Sequence, residues 1–152
     1  MRKLLLVALG ALLAGAVLAG CGEDTDAANQ YVQDVNRAQQ RFAANLQRLT
    51  GRITPQSTRK SDQKTLEQVE QLIDEAVGDL GKIEPPEDVR AQHQAFIDLF
   101  RSYSRQLEPL AESLDADPSE QLRANRRYVE ASNRFARRVD RIIAQINRRL
   151  SE

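Results

Sequence analysis

The sequence predicts an all-α fold, an antiparallel up-down four-helix bundle behind a cleaved signal peptide. Three observations predict it. Beyond residue 26, apolar residues recur in four runs at gaps of three and four, the period of a buried helical stripe. The breaks between runs are short and hold Gly or Pro, which suits antiparallel neighbours. No stretch sustains the period-two alternation of a strand. A three-helix bundle with a detached first helix is the alternative.

The N-terminus reads as an address. Arg2 and Lys3 precede an uncharged run from Leu4 to Leu18. Leu18-Ala19-Gly20-Cys21 is followed at once by Gly22, Glu23 and Asp24. A positive start, an apolar middle and small residues before a cleavage point describe a secretory signal over residues 1–20. The apolar run, about 17 residues, also meets the lower limit of a membrane-spanning helix, so an uncleaved anchor is the competing reading. The four residues Leu18 to Cys21 resemble the lipobox of bacterial lipoproteins: an aliphatic residue, two small residues, then Cys. The resemblance implies that Cys21 takes a diacylglyceryl group on its sulfur and that signal peptidase II cuts before it. A thiolate is the nucleophile such chemistry needs, and two acyl chains hold a membrane where one is marginal. Residues 21–26 then read as the lipidated Cys and a polar tether reaching at most about 17 Å. Residues 27–152 are the bundle domain.

The first helical run covers about residues 27–49, with its stripe at Ala28, Tyr31, Val35, Ala38, Phe42, Leu46 and Leu49. Thr25 or Asp26 can cap it, and Gly51 can end it. The loop from Gly51 to Lys60 contains Pro55. The second run covers about residues 62–83, with Ser61 as its expected N-cap. Leu66, Val69, Ile73, Ala76, Leu80 and Ile83 form a heptad seam. Pro85 and Pro86 stop it, because proline lacks an N–H and disfavours helix in the residue before it.

The third run starts near Pro86 or Glu87, and its seam is Val89, His93, Phe96, Phe100, Tyr103, Leu107, Leu110 and Leu114. Pro109 lies inside it, so a kink or break is expected near Arg105 to Glu108. The fourth run covers about Pro118 to Leu150. Asp117 caps it, Pro118 opens it, and Glu120 completes a capping-box-like start. Its inner stripe is Tyr128, Ser132, Phe135, Val139, Ile142, Ile143, Ile146 and Leu150.

Composition excludes several classes of function. The chain has 22 basic and 22 acidic residues. Removing Arg2 and Lys3 with the signal leaves 20 against 22, or −2, which gives no global drive toward nucleic acid. One Cys, one His and a single initiator Met exclude a disulfide framework, a Cys/His zinc site and a paired haem ligation. Neither a metal nor another cofactor is expected. There is no Gly-x-Ser-x-Gly, phosphate loop or Gly-rich dinucleotide turn. The lone Cys is committed to lipid, and the acids lie on a charged face ill suited to general acid–base work. The chain does not read as an enzyme.

Charge is unevenly shared among the helices. Residues 61–88 hold nine acids and two bases, whereas residues 118–152 hold nine arginines and four acids. On a helical wheel these arginines, including Arg123, Arg126, Arg127, Arg134, Arg137 and Arg138, lie opposite Val139. The plain expectation is a solvated face whose flanks pair with the acidic second helix. The sharper one is a surface for an anionic envelope polymer or an acidic partner protein. Up-down topology sends Arg148 and Arg149 back toward the membrane. It gathers Arg48, Arg52, Arg59 and Lys60 with Arg123, Arg126 and Arg127 at the far end.

His93, Phe96, Phe100 and Tyr103 share the third seam and are the candidates for binding a small apolar ligand between helices. The plain reading of His93 is a core or rim histidine bonded to a neighbouring helix. Tyr31 and Tyr128 extend the aromatic set, and Asn125 and Ser132 are polar residues that fix register.

The stretch Leu80 to Phe96, with Pro85, Pro86 and His93, resembles a pattern in small lipoproteins of actinobacteria: a leucine-rich helix, a Pro-Pro turn, and a helix with one His. Eighteen arginines against four lysines suit a GC-rich genome of that kind. The resemblance covers about a third of the mature chain. It implies a helical fold and an extracytoplasmic, membrane-anchored location, and no activity. The expectation is a non-catalytic helical module tethered to the cell membrane by lipid, binding an envelope protein or anionic polymer. The alternative is a carrier or sensor for a small apolar ligand.

Overall fold

The computed structural model describes residues 23–54, 56–113 and 117–151. Cys21 and the signal segment lie outside them. Four α-helices follow one another: α1 over Glu23–Thr50, α2 over Arg59–Leu80, α3 over Arg90–Glu112 and α4 over Pro118–Leu150. A 3-10 turn over Glu87–Val89 leads into α3. Among the described residues there is no strand. Each helix packs on the next, α1 on α2, α2 on α3 and α3 on α4.

Side-chain pairs fix the directions. Arg52, just past α1, bonds Gln68 in the middle of α2, whereas the earlier Arg41 meets Asp79 near the end of α2, so those helices are antiparallel. Tyr31 meets His93, and Phe42 meets Phe100, so α1 and α3 run the same way. Early residues of α4 face late residues of α3, which sends α4 back. This is the up-down four-helix bundle. The first helix is integral to it, with Tyr31, Val35 and Phe42 each at most 2% exposed.

The seams expected from residue spacing are the buried faces. Every expected seam position whose side chain is described is buried or half-buried. Leu110, Leu114 and Asn125 lie outside the described side chains. The centre is aromatic: Phe100 meets Phe42, Phe96 and Phe135 edge to face at 5.0–5.2 Å between centroids. Tyr103 stacks on Phe135 at 4.3 Å. Such pairs add about 0.5–1.5 kcal/mol each beyond the apolar area they bury.

Helix ends differ from expectation in several places. The expected tether over residues 21–26 is largely helix, since α1 begins at Glu23. Asp26 lies in the first turn, where a helix N-terminus favours negative charge, so apolar spacing was the wrong marker for this start. Thr58, not Ser61, caps α2: its hydroxyl accepts from the Ser61 N–H at 3.2 Å. Both residue types cap well, and the polar Arg59 and Lys60 gave no sign of the first turn. α2 ends at Leu80 rather than Ile83. Beyond Gly81 the chain tightens, with Lys82 N–H bonding Asp79 O and Ile83 N–H bonding Leu80 O. Glu84, which precedes Pro85, cannot continue a helix easily.

No break occurs near Arg105 to Glu108, because α3 runs through Pro109 to Glu112. Pro109 removes one donor only a turn from the helix end. Asp117 caps α4 as expected, accepting from the N–H groups of Ser119 and Glu120 at 2.8 and 3.1 Å. These bonds hold its carboxyl below the usual range.

α4 packs on α3 and not extensively on α2, so the expected pairing of α2 with α4 has little contact to rest on. The two helices are diagonal in the bundle. Arg134 pairs within α4 with Glu130 at 3.7 Å, and Arg123 with Glu120 at 3.8 Å. Net helix charge carries no information on which helices are neighbours and which are diagonal.

Candidate functional site

The outer side of the α3–α4 pair carries the most distinctive surface. All nine α4 arginines are exposed, because their spacing avoids the buried stripe of Phe135, Val139, Ile143 and Ile146. Two open grooves of about 440 and 510 Å³ run along this seam, sharing Gln106, Ala131 and Arg134. Together they form one trough. Its α4 side carries Arg123, Arg127, Arg134, Arg137, Arg138 and Arg141. Its α3 side carries Ser102, Arg105, Gln106 and Pro109.

Five of the six arginines singled out from the sequence therefore share the trough. Arg126 does not line it. Arg105 and Arg141 join the five. Arg141 belonged to the same stripe and was legible in principle. Arg105 was not, since it comes from another helix and only the packing brings it across.

Small residues make the depression. Ala124 and Ala131 stand seven apart in α4, 9% and 6% exposed, and both line the trough. A methyl group leaves room between two helices that a leucine would fill. Among the described residues, no carboxylate pairs with Arg105, Arg127, Arg137, Arg138 or Arg141. The upper groove, from Leu99 to Arg141, has no acid in its lining, whereas the lower one is bounded by Glu112 and Glu120. Arginine forks with free N–H groups suit oxyanions, to which they donate bidentate bonds.

Of the other four candidates, Tyr103 also lines the upper groove, whereas His93, Phe96 and Phe100 line neither groove. His93, Phe96, Phe100 and Tyr103 are at most 4% exposed and pack on one another and on α1 and α4. His93 ties three helices together. Its Nε2 lies 3.1 Å from Leu80 O and its Nδ1 3.2 Å from the Tyr31 hydroxyl. A carbonyl only accepts, so Nε2 carries the hydrogen and Nδ1 accepts from Tyr31. The ring is thus bonded as neutral imidazole. Burial lowers its pKa, and the bond to Leu80 offsets part of that effect. Tyr103 bonds Ser132 Oγ at 2.9 Å across α3 and α4, and burial raises the pKa of its phenol. The four side chains that could enclose an apolar ligand are already engaged: Phe96 with Phe100, His93 with Tyr31 and Leu80, and Tyr103 with Phe135 and Ser132.

Among the described residues, no three His, Cys, Asp or Glu side chains group as a metal site. No described helix is long and apolar enough to cross a membrane. Compared with protein-family models, curated proteins and solved structures, the chain shows no match.

Proposed function

We propose that this chain is a non-catalytic extracytoplasmic lipoprotein, held at the cell membrane by lipid on Cys21. In this reading its bundle binds an anionic envelope polymer, or an acidic partner protein, through the arginine face of α4. The observation that carries the binding half is the trough, where seven arginines from two helices converge and five of them, Arg105, Arg127, Arg137, Arg138 and Arg141, have no carboxylate partner among the described residues. Structural arginines are ordinarily paired or solvated singly. Gathering several in one depression costs electrostatic self-repulsion, which an anionic partner relieves.

The anchoring half rests on the lipobox-like Leu18 to Cys21. The early start of α1 at Glu23 supports a bundle held close to the bilayer, with the distal ends of α3 and α4 turned outward. The reading of a carrier for an apolar ligand would have to open a layer in which His93, Phe96, Phe100 and Tyr103 are each at most 4% exposed.

Two measurements test the two halves. Mass spectrometry of the mature N-terminus should find a peptide starting at a lipid-modified Cys21, and a peptide starting at Met1 would refute the anchor. Sedimentation with isolated envelopes should retain the protein at low salt and release it at high salt. Reversing Arg123, Arg127 and Arg134 to Glu should abolish that retention. Unchanged retention would remove the binding half.

A further inference from the structure

We propose that the α3–α4 trough seats an extended polyanion, a chain of oxyanions laid along α4, rather than a compact anion or a folded acidic surface. The proposal rests on the arginine-face reading above and narrows it to one site and one shape of ligand.

Length comes first. From Arg127 to Arg141, clear of Glu120 and its partner Arg123, the trough follows α4 for about 21 Å at the helical rise. A single phosphate or carboxylate uses one or two arginine forks. This trough offers arginines along its whole course.

Spacing comes second. Arg127, Arg134 and Arg141 recur every seven residues, about 10 Å apart along one side of α4. Ala124 and Ala131 share a second heptad position, which Arg138 continues. The alternation sets a low floor beside a row of cations. A folded protein surface would rest on the rims, whereas a flexible chain can lie on the alanine floor with its charges turned to the row.

Charge along the trough gives it an end. Glu112 and Glu120 border the Pro109 end, and no acid lines the stretch toward Arg141. A polyanion would enter from the Arg141 side and stop before the acids. On the α3 wall, Arg105 adds a cation and Ser102 a hydroxyl. Gln106 is oriented there by its own bond from Nε2 to Ser102 O at 2.9 Å.

Titration calorimetry on the full chain, in a detergent with neutral headgroups, tests this with long-chain inorganic polyphosphate, pyrophosphate and polyglutamate. At least one polymer should bind tenfold or more tightly than pyrophosphate, and which polymer wins assigns phosphate or carboxylate. The pair Arg134→Gln with Arg138→Gln should weaken polymer binding at least tenfold. The pair Arg126→Gln with Arg148→Gln removes the same charge outside the trough and should weaken it less than threefold. Ala131→Leu fills the floor at constant charge and should also weaken binding. Should its thermal melt show that it does not fold, Ser102→Glu places an acid in the wall instead. Equal losses from the two arginine pairs would overturn the trough while leaving the arginine-face reading. Pyrophosphate binding as tightly as either polymer would overturn the extended ligand. No binding of any anion would remove both.

Discussion

His93 shows how one residue can be central to the structure without belonging to the proposed binding surface. Its neutral ring joins α1, the end of α2 and α3. A lowered native pKa means that the unfolded chain binds the proton more readily. Stability is then full above the unfolded pKa of about 6.5 and falls as pH drops below it, by up to about 1.4 kcal/mol per unit until the native ring titrates. Melts at pH 7.5 and 5 should show this loss in the wild type and a smaller one in His93→Gln. Equal losses would detach the pH response from His93. Asp117 has the same sign in a lower window, since its depressed carboxyl loses its stabilising effect as pH falls below the ordinary range near 4. The Tyr103–Ser132 bond gives a second residue-scale test. Ser132→Ala should cost about 1 kcal/mol. Combined with Tyr103→Phe, the loss should fall short of the sum of the two single changes, as a double-mutant cycle measures.

Among the elements, α4 carries both halves of the account. One face builds the core with Phe135, Val139, Ile143 and Ile146, and the other carries the arginines. The helix is started by one carboxylate, so Asp117→Ala should lower stability by about 1 kcal/mol at pH 7, read by urea denaturation. That difference should shrink as pH falls through the lowered native pKa of Asp117, because the capping carboxylate is then protonated. The buried stripes were legible because spacing by threes and fours leaves few alternatives. Helix starts were less so: Glu23 to Asp26 and Arg59 to Lys60 are polar turns, invisible to apolar periodicity. The arginines of α4 could be read as one face. The trough could not, because its second wall, with Ser102, Arg105 and Gln106, lies in a helix whose packing partner no single-helix pattern identifies. Ala124 and Ala131 were the available signal, two small residues a heptad apart beside a row of long cations.

For the whole molecule, up-down topology places the acidic α2 and the basic α4 on a diagonal. Near-neutral net charge therefore hides two oppositely charged sides. The protein should behave as a near-neutral chain in bulk, yet bind polyanions with strong salt dependence through one side only. Its retention on an anionic matrix should exceed that of a neutral protein of equal size and collapse with added salt. Retention insensitive to salt would argue against the charged face.

The most direct measurement is arginine footprinting of the protein, with and without isolated envelope, using a guanidinium-selective reagent read by peptide mass spectrometry. The account predicts that envelope protects Arg134, Arg138 and Arg141, and leaves Arg126 and Arg148 as reactive as before. Uniform protection, or protection confined to Arg126 and Arg148, would contradict it.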